Sequence, residues 1–518
     1  MSTGVIKLFI TSLSTAWDRG VSARWPSFVA RLNWGALFTG VGLLGFFVTF
    51  LAAIQFSSPN LTGTDGYFHI KFAQVMREQG LRPPFPWLPL TILNPQDYAD
   101  HHFLFHILLI PFTYGDLRVG AKWVSVIFPA LAFCMGWVFL RGQRVPYAAL
   151  WSLGFLALSE AFLYRMSQSR VQGVSLLMLF LILHVTLTQR YRWLLPLTFI
   201  YVWLYDAFPL VVLIVGIYVV SHWLLDRQLN LRPLVYVSLG VGLGLVINPY
   251  FPQNLFFIYH HFLPKLSDSS TARVGGEWYP YETWTLVKNS APALVAFVAG
   301  ALALGLSQRR MNTRTATLFL ITVLFGLLLL KSRRFIEYYP AFALLFCAVA
   351  WTALLEEWLQ AKPWLNKLVP IILVMILLPL IWSNLRATQE SMQDSEPYQR
   401  YAEASAWLKA NTPPGSRIYQ TDWDDFTLLY FHNTQNTYTL GLDPTYMQLY
   451  NAEMYDLWVD ISRGRVAAPG QIIADTFGAY YLLTDLDHDS FLREAQDDPG
   501  LEEVYRDEYA IIFRVVRG

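Results

Sequence analysis

Residues 64–71 (Thr-Asp-Gly-Tyr-Phe-His-Ile-Lys) hold the first dense group of reactive side chains, directly after the first long apolar run. Residues 66–79 have helical periodicity and stop at Gly80, so Asp65 could serve only as the N-cap of a helix. The alternative is a carboxylate that binds a cation or removes a proton from a bound molecule. His69 and Lys71 favour this second interpretation, because a cap alone does not require them.

A second polar cluster, residues 97–102 (Asp-Tyr-Ala-Asp-His-His), contains two acids and two histidines. Such side chains can bind a metal ion, but their spacing matches no specific metal-site template. The other interpretation is a polar cap for the apolar segment 102–112, which is too short to cross a membrane. Both interpretations stay open at the level of the sequence.

Pairs of arginines occur in two connections between apolar runs. Residues 165–170 (Arg-Met-Ser-Gln-Ser-Arg) and residues 331–334 (Lys-Ser-Arg-Arg) each contain two of them. Guanidinium groups bind phosphate and carboxylate oxygens in pairs, so both segments suit an anionic head group better than a metal ion. The competing explanation is anchoring at a membrane interface by snorkelling.

Two further segments combine carboxylates with aromatic rings. Residues 277–282 (Glu-Trp-Tyr-Pro-Tyr-Glu) lie in a long connection, and long connections are usually either functional or disordered. Residues 422–425 (Asp-Trp-Asp-Asp) follow a predicted strand, and α/β domains place ligand contacts at the carboxyl ends of strands. A solvated loop and an ordinary acidic turn are the respective alternatives.

The elements that must position these residues are mainly membrane helices. Of the 518 residues, 54% are hydrophobic and 14% are charged, and apolar runs of about 17–23 residues recur, which is the length that spans a bilayer. Residues 386–518 carry 10 basic and 22 acidic residues, whereas residues 1–385 carry 28 and 15. A basic membrane domain therefore precedes an acidic tail that is long enough for its own core. Cys134 and Cys347 lie in apolar runs, so no disulfide framework is expected.

We predict a polytopic α-helical membrane domain, residues 33–385, followed by an α/β soluble domain, residues 386–518. About eleven spans are predicted: 33–56, 118–140, 145–163, 172–188, 193–206, 208–225, 233–249, 290–306, 315–331, 336–356 and 367–385. The positive-inside rule makes the lead-in, residues 1–32, cytoplasmic. The connections 57–117 and 248–290 and the tail are then extracytoplasmic. In the tail, residues 403–410 are predicted as a helix, and strands are predicted at 417–420, 437–442, 479–484 and 509–516.

These positions together resemble the GT-C glycosyltransferases, most closely the catalytic subunit of oligosaccharyltransferase and its single-chain bacterial relatives. Thr-Asp-Gly-Tyr at 64–67 looks like that family's first acidic motif, whose Asp binds the catalytic cation and the acceptor. Residues 102–112 resemble the helix of the same loop, and residues 164–167 resemble the approach to the second acidic motif. Glu277 stands where the family has the glutamate of its long external loop, and Arg334 resembles the arginine that contacts the donor diphosphate.

Two features depart from the family's pattern. Where the family has a second pair of acids, residues 169–173 (Ser-Arg-Val-Gln-Gly) contain none. Asp65 and Glu277 alone supply few ligands for Mg²⁺ or Mn²⁺, because a divalent ion needs several oxygen ligands. Residues 422–426 (Asp-Trp-Asp-Asp-Phe) stand in place of the peptide-reading Trp-Trp-Asp-Tyr-Gly motif, so an asparagine acceptor is not implied.

The resemblance implies an integral-membrane glycosyltransferase of the plasma or inner membrane. It would move a sugar or glycan from a polyprenyl-phosphate or polyprenyl-diphosphate donor to a protein or glycolipid acceptor on the outer face, with membrane lipid but no nucleic acid as a further partner. Asp65 and Glu277 are the predicted catalytic residues and the predicted metal ligands, and a metal-independent reaction is preferred to a Mg²⁺ or Mn²⁺ site. The predicted phosphate-binding residues are Arg333, Arg334, Arg165 and Arg170, and the predicted acceptor-binding residues are Trp423, Asp424 and His69.

The main alternative is a catalytically inactive protein of the same fold that binds or assembles lipid-linked glycans. Turnover of a lipid-linked sugar would separate the two. A transporter is less consistent with the sequence, because the spans contain few ionisable residues and no obvious inverted repeat.

Overall fold

The computed structural model describes residues 33–267, 275–307, 309 and 311–516. The predicted lead-in, residues 1–32, lies outside the described residues. A helical domain rich in long apolar helices is followed by a small α/β domain, which confirms the predicted fold class.

The first domain consists of helices joined by connections of different lengths and by 3₁₀ turns. In order they are α1 (Trp34–Gln55), α2 (Asp65–Gln79), α3 (Phe103–Leu109), α4 (Leu117–Gly142), α5 (Ala148–Leu153), α6 (Glu160–Met166), α7 (Gln172–Leu187), α8 (Leu194–Leu204), α9 (Pro209–Asp226), α10 (Arg232–Val246), α11 (Gln253–Ser267), α12 (Thr283–Leu306), α13 (Thr313–Lys331), α14 (Tyr339–Ala361) and α15 (Leu365–Gln393). Within the described residues, seven helices are long and apolar enough to cross a membrane: α1, α4, α9, α12, α13, α14 and α15.

The other four predicted spans correspond to shorter or interrupted helices. Helices α7, α8 and α10 have 16, 11 and 15 residues, and the predicted span 145–163 is divided into α5, a 3₁₀ turn at Gly154–Ala157 and α6. The predicted number of eleven spans therefore stays a prediction. Residues 102–112 form α3 and a 3₁₀ helix at Ile110–Thr113, as expected for a segment too short to cross.

Helix α2 begins at Asp65 and is ended by Gly80, whose φ of 101° is a conformation that glycine adopts without strain. The N-cap is Thr64, and its side chain makes no capping hydrogen bond. The interpretation of Asp65 as the N-cap is therefore wrong, because Asp65 is the first residue of the helix itself. Its carboxylate is then available for contacts beyond the helix.

The tail folds as helices around one five-stranded sheet. Its elements are α16 (Ala402–Asn411), β1 (Arg417–Gln420), α17 (Phe426–His432), β2 (Thr437–Tyr438), α18 (Thr445–Tyr450), α19 (Ala452–Ser462), α20 (Pro469–Phe477), β3 (Tyr481–Asp485), α21 (Asp489–Asp497), β4 (Leu501–Arg506) and β5 (Ala510–Val515). The strand order is β2-β1-β3-β5-β4, with β1 parallel to both neighbours and β5 antiparallel to both of its own.

The predicted helix and all four predicted strands of the tail are present, although the second strand has only two residues. Strand β4 was not predicted. It lies at the edge of the sheet and alternates poorly between apolar and polar side chains, since Glu502 and Glu503 are adjacent and exposed.

The connection between α2 and α3 packs against the tail. The indole N–H of Trp87 donates to the carbonyl of Thr434 (2.8 Å), and the carbonyl of Trp87 accepts from the N–H of Tyr438 in β2 (2.8 Å). Tyr67 of α2 makes an edge-to-face contact with Phe431 of α17, with ring centroids 5.2 Å apart. These contacts fix the beginning of α2 relative to the tail.

Candidate functional site

A cavity of about 600 Å³ lies where the beginning of α2, the turn between α6 and α7, the segment before α12 and the tail meet. Its wall contains predicted site residues from each of these elements: Asp65, His69, Arg165, Arg170, Glu277, Arg334, Trp423 and Asp424. Among the predicted site residues, only Arg333 is not part of this wall. The fold thus brings together side chains that are far apart in the sequence.

Asp65 forms an ion pair in this wall, with its Oδ2 2.9 Å from Nη2 of Arg170. Arg170 reaches this position because the turn that carries it is held against α4, where Ser169 Oγ donates to the carbonyl of Ala121 (2.6 Å). Helix α2 approaches the same turn closely at Gly66, where a Cβ atom would lie 2.9 Å from Cβ of Ser169. Glycine at this position therefore allows the ion pair to form.

Three guanidinium groups surround the carboxylate of Glu277: Arg165 at 2.8 Å, Arg334 at 3.0 Å and Arg170 at 3.1 Å. Burial alone would raise its pKa, but Arg170, Arg334 and Arg165 hold the pKa of the Glu277 carboxyl well below its usual range. The carbonyl of Glu277 accepts from Ser332 Oγ (2.9 Å), which joins this loop to the segment that carries Arg334. The carboxylate occupies a place that suits an anionic ligand.

Arg165 also binds Glu337, an acid that was not identified from the sequence. Nε of Arg165 lies 2.8 Å from Oε1 of Glu337, and the Glu337 side chain is fully buried. The signal that could have found it is a lone acid three residues after Arg334, at the start of an apolar run. With Glu337 included, three carboxylates balance the three guanidinium groups.

Arg334 and Arg333 point in different directions although they are adjacent. Nη2 of Arg334 donates to the hydroxyl of Tyr205 (2.8 Å) at the cavity wall. Nε of Arg333 instead donates to the carbonyl of Pro280 (3.1 Å), and its guanidinium lies 5.4 Å from the ring centroid of Tyr281. Arg334 therefore faces the cavity, whereas Arg333 packs against the segment before α12.

The tail contributes Trp423 and Asp424, which lie in the turn between β1 and α17. Burial, together with the neighbouring Asp422, raises the pKa of the Asp424 carboxyl to about 7. Leu442, Asp443, Pro444 and Tyr446 extend this part of the wall and were not predicted. The Asp-Pro turn after β2 is the sequence signal that could have found them.

The fold divides the acid-and-histidine cluster of residues 97–102. Asp100 turns inward, with its Oδ2 2.7 Å from Nδ1 of His106. Nε2 of His106 lies 2.8 Å from Nδ1 of His69, which lines the cavity. His106 was not singled out from the sequence, because it lies within the apolar half-helix.

No protein-family model matches the sequence, and no curated protein matches it. Solved structures do match. The oligosaccharyltransferase of Archaeoglobus fulgidus in the apo form has a TM-score of 0.63 at 13% identity, over 86% of this chain and 69% of that chain. The chain has the fold of the GT-C glycosyltransferases. This likeness confirms the resemblance at the level of the fold.

Two other GT-C structures extend the comparison. ArnT from Cupriavidus metallidurans bound to undecaprenyl phosphate has a TM-score of 0.56 at 15% identity, over 93% of this chain and 98% of that chain. The arabinofuranosyltransferase AftD from Mycobacteria has a TM-score of 0.54 at 16% identity, over 92% of this chain and 41% of that chain. The GT-C fold therefore covers both the membrane domain and most of the tail.

The metal ion that the GT-C resemblance implies, Mg²⁺ or Mn²⁺ at Asp65 and Glu277, does not fit these residues. The guanidinium of Arg170 lies between the two carboxylates, 2.9 Å from Asp65 and 3.1 Å from Glu277. Arg165 and Arg334 are also within 3.0 Å of Glu277, so a dication would stand beside three fixed positive charges. Arg170 takes the bridging place that the metal would need.

Among the described residues, one group of acids and histidine has the spacing to hold a metal ion, and it lies in the tail. It consists of Asp422 after β1, Asp485 at the end of β3, and His488. His488 forms an ion pair with Asp485, with 2.6 Å between Nδ1 and Oδ1, and its Nε2 lies 3.9 Å from Asp422. The ion pair between His488 and Asp485 explains why these side chains lie close together, and none of the three residues lines the cavity.

Proposed function

We propose that this chain is a glycosyltransferase that moves a sugar or glycan from a polyprenyl-phosphate or polyprenyl-diphosphate donor to an acceptor on the outer face of a membrane. The observation that carries the proposal is the single cavity in which Asp65, three arginines and the Trp423 turn converge. The fold supports the same class. Solved structures with this fold include two transferases named for glycosyl groups and one protein bound to undecaprenyl phosphate.

The donor phosphate would bind at Arg165, Arg170 and Arg334, where Glu277 now accepts their hydrogen bonds. The phosphate gains negative charge as its bond to the sugar breaks, so fixed guanidinium groups stabilise the transition state more than the bound donor. Until the phosphate arrives, Glu277 keeps the three like charges close together. Its displacement is the first step that we propose.

The transfer itself is an inverting displacement. An oxygen or nitrogen of the acceptor attacks the anomeric carbon, the carbon–oxygen bond to the phosphate breaks, and the phosphate leaves with the electron pair. Asp65 would orient the acceptor group on one side of the cavity, and Trp423 and Asp424 would contact the acceptor on the tail side. The proton that the acceptor loses must go to a base.

A transfer assay tests this function with the full chain in lipid nanodiscs. The donors are radiolabelled polyprenyl-phosphate hexoses and polyprenyl-diphosphate glycans, and the acceptors are glycolipid and protein fractions. We expect Asp65→Asn to abolish transfer while it still binds donor, because its arginines remain. Arg333→Ala is the matched control, since Arg333 lies outside the cavity wall. Full transfer by Asp65→Asn would contradict the assignment.

A protein that binds lipid-linked glycans without turnover is the second candidate. It is favoured by one observation, which is that each guanidinium of the cluster already pairs with a carboxylate. Donor binding without transfer to any acceptor, with and without Mg²⁺ or Mn²⁺, would favour this candidate over the enzyme.

A further inference from the structure

Three buried side chains, Asp100, His106 and His69, form a hydrogen-bonded series that ends at the cavity. The oxygen of Asp100 is 2.7 Å from Nδ1 of His106, and Nε2 of His106 is 2.8 Å from Nδ1 of His69. The exposed fractions of Asp100, His106 and His69 are 5%, 1% and 6%. His69 lines the cavity about one helical turn after Asp65.

This series sets the protonation pattern of both rings. The carboxylate of Asp100 accepts the Nδ1–H of His106, so a neutral His106 has an unprotonated Nε2. That nitrogen accepts the Nδ1–H of His69, which leaves the lone pair of His69 on Nε2. Because Nδ1 of His69 faces His106, Nε2 is the nitrogen that a ligand in the cavity can reach. His69 therefore offers the cavity a proton acceptor.

Asp65 is the competing acceptor, but its carboxylate already pairs with Arg170 at 2.9 Å. A proton added to Asp65 would remove the negative charge with which Arg170 pairs. We propose that His69 is the general base of the transfer, and that His106 and Asp100 are the residues that position it. The inference rests on the proposed glycosyl transfer and assigns the proton that this reaction must remove.

The acceptor proton and the glycosyl group are transferred in one step. Nε2 of His69 takes the proton of the acceptor hydroxyl while that oxygen bonds to the anomeric carbon and the donor phosphate leaves with the electron pair. His69 becomes a cation, and its Nδ1–H bond to His106 spreads this charge towards the buried carboxylate of Asp100. The proton passes to water when the products leave.

The groups packed around His69 keep its ring neutral at rest. Burial, followed by His106, Arg170 and His101, holds the pKa of His69 well below its usual range. His102 stands edge to face with the same ring, with centroids 5.3 Å apart. A neutral imidazole is the form that accepts a proton, but the same low pKa makes His69 a weak base. Its protonated form therefore depends on the hydrogen bond from its Nδ1–H to His106 and, through His106, on the carboxylate of Asp100.

Chemical rescue tests this role. We expect His69→Ala to lose a factor of about 10²–10⁴ in kcat, and added imidazole to restore part of it through the open cavity. Asp65→Asn should not respond to imidazole, because its defect is not a missing base. His102→Ala is the matched control: it removes another imidazole that lines the cavity but keeps the backbone N–H of His102 that donates to Asp100. The activity of this variant should not respond to imidazole.

A second measurement does not depend on turnover. Diethyl pyrocarbonate acylates neutral imidazole, and peptide mapping of the unliganded full chain should show His69 modified and His106 protected. Asp100→Asn should slow the modification of His69 and lower kcat with little change in acceptor KM, because it loosens the ring without removing it. If His69→Ala does not fold, the Asp100→Asn variant tests the inference in its place. An unchanged kcat together with an unchanged rate of His69 modification in this variant would overturn the inference.

The outcomes separate this inference from the function on which it rests. Transfer by the natural chain together with undiminished transfer by His69→Ala would overturn the role of His69 alone. Loss of activity in His69→Ala that imidazole never restores would indicate a structural role and would also overturn it. No transfer by the natural chain with any donor would overturn the proposed function, and the role of His69 with it.

Discussion

The two sides of the cavity carry charge in different ways. On the membrane side, Arg165, Arg170 and Arg334 are paired with carboxylates at 2.8–3.1 Å and stay charged at every ordinary pH. On the tail side, Asp424 lies beside Asp422, and burial raises its pKa to about 7. The first side is suited to hold an anion tightly, whereas the second changes its charge near neutral pH.

The largest effect on activity is expected from removing an arginine on the membrane side of the cavity. Arg334→Ala should lower kcat/KM for the lipid-linked donor by about 10²–10³, because it removes a guanidinium that faces the growing negative charge. Steady-state kinetics with varied donor measure this. Arg333→Ala is the matched control, and an equal loss in both variants would contradict the different roles that the structure gives to these neighbours.

The next prediction concerns Arg170, whose guanidinium lies between the carboxylates of Asp65 and Glu277. Activity should be unchanged when divalent ions are removed with EDTA, because a guanidinium already joins Asp65 to Glu277. Arg170→Asp would place a third carboxylate there, and we expect Mn²⁺ to raise the thermal unfolding midpoint of this variant and not of the natural chain. Loss of activity on EDTA treatment of the natural chain would contradict the charge-bridge interpretation.

A smaller change in the opposite direction is expected from Glu277→Gln. This variant keeps the shape of the side chain but removes the anion that competes with the donor phosphate. Donor affinity should rise by about 10- to 100-fold, in line with roughly 1.5–3 kcal/mol for a hydrogen bond to a charged group, while thermal stability without donor should fall. Equilibrium binding of a labelled donor measures the first effect, and weaker binding would show that Glu277 itself contacts the donor.

The smallest effect is expected on the tail side, at Asp424. Its folded-state pKa of about 7 lies above the ordinary value for an Asp. The folded state therefore binds more protons than the unfolded state, and stability should fall as pH rises from about 4 to about 7. Asp424→Asn should flatten this dependence and also the change in acceptor KM between pH 6 and pH 8. Unfolding curves at several pH values would show an unchanged slope if the assignment is wrong.

The sequence predicted the chemistry of single residues better than their partners. The types of Asp65 and Arg170, and the charge rule that predicted one membrane face for them, led to a group of residues that the structure places in the wall of one cavity. The sequence could not show that Arg170 stands between Asp65 and Glu277, because Arg170 and Glu277 are 107 residues apart. Asp65 and Glu277, the metal ligands that the resemblance implies, do not fit a metal ion in this geometry, which agrees with the metal-independent reaction that was preferred.

Local structure explains the other differences. Arg333 and Arg334 are adjacent and have the same side chain, yet they lie in one 3₁₀ helix and so point to different neighbours. Glu337 and His106 were hidden in apolar runs, where a single polar residue carries no periodic signal. The fold class followed from hydropathy, which sums over many residues, whereas the number of spans did not, because α7, α8 and α10 are short.

The contact between Trp87 and Thr434 has a consequence for how the protein is made. These residues are 347 positions apart, so the connection between α2 and α3 is synthesised long before the segment that covers it. Tyr67 is likewise synthesised long before Phe431, the residue on which it packs. Contacts between such distant residues form slowly and leave apolar surface uncovered in the meantime. The cavity therefore cannot be completed until the tail has been synthesised and has packed against this connection, and a chain interrupted before that point lacks the part of the wall that Trp423 and Asp424 supply.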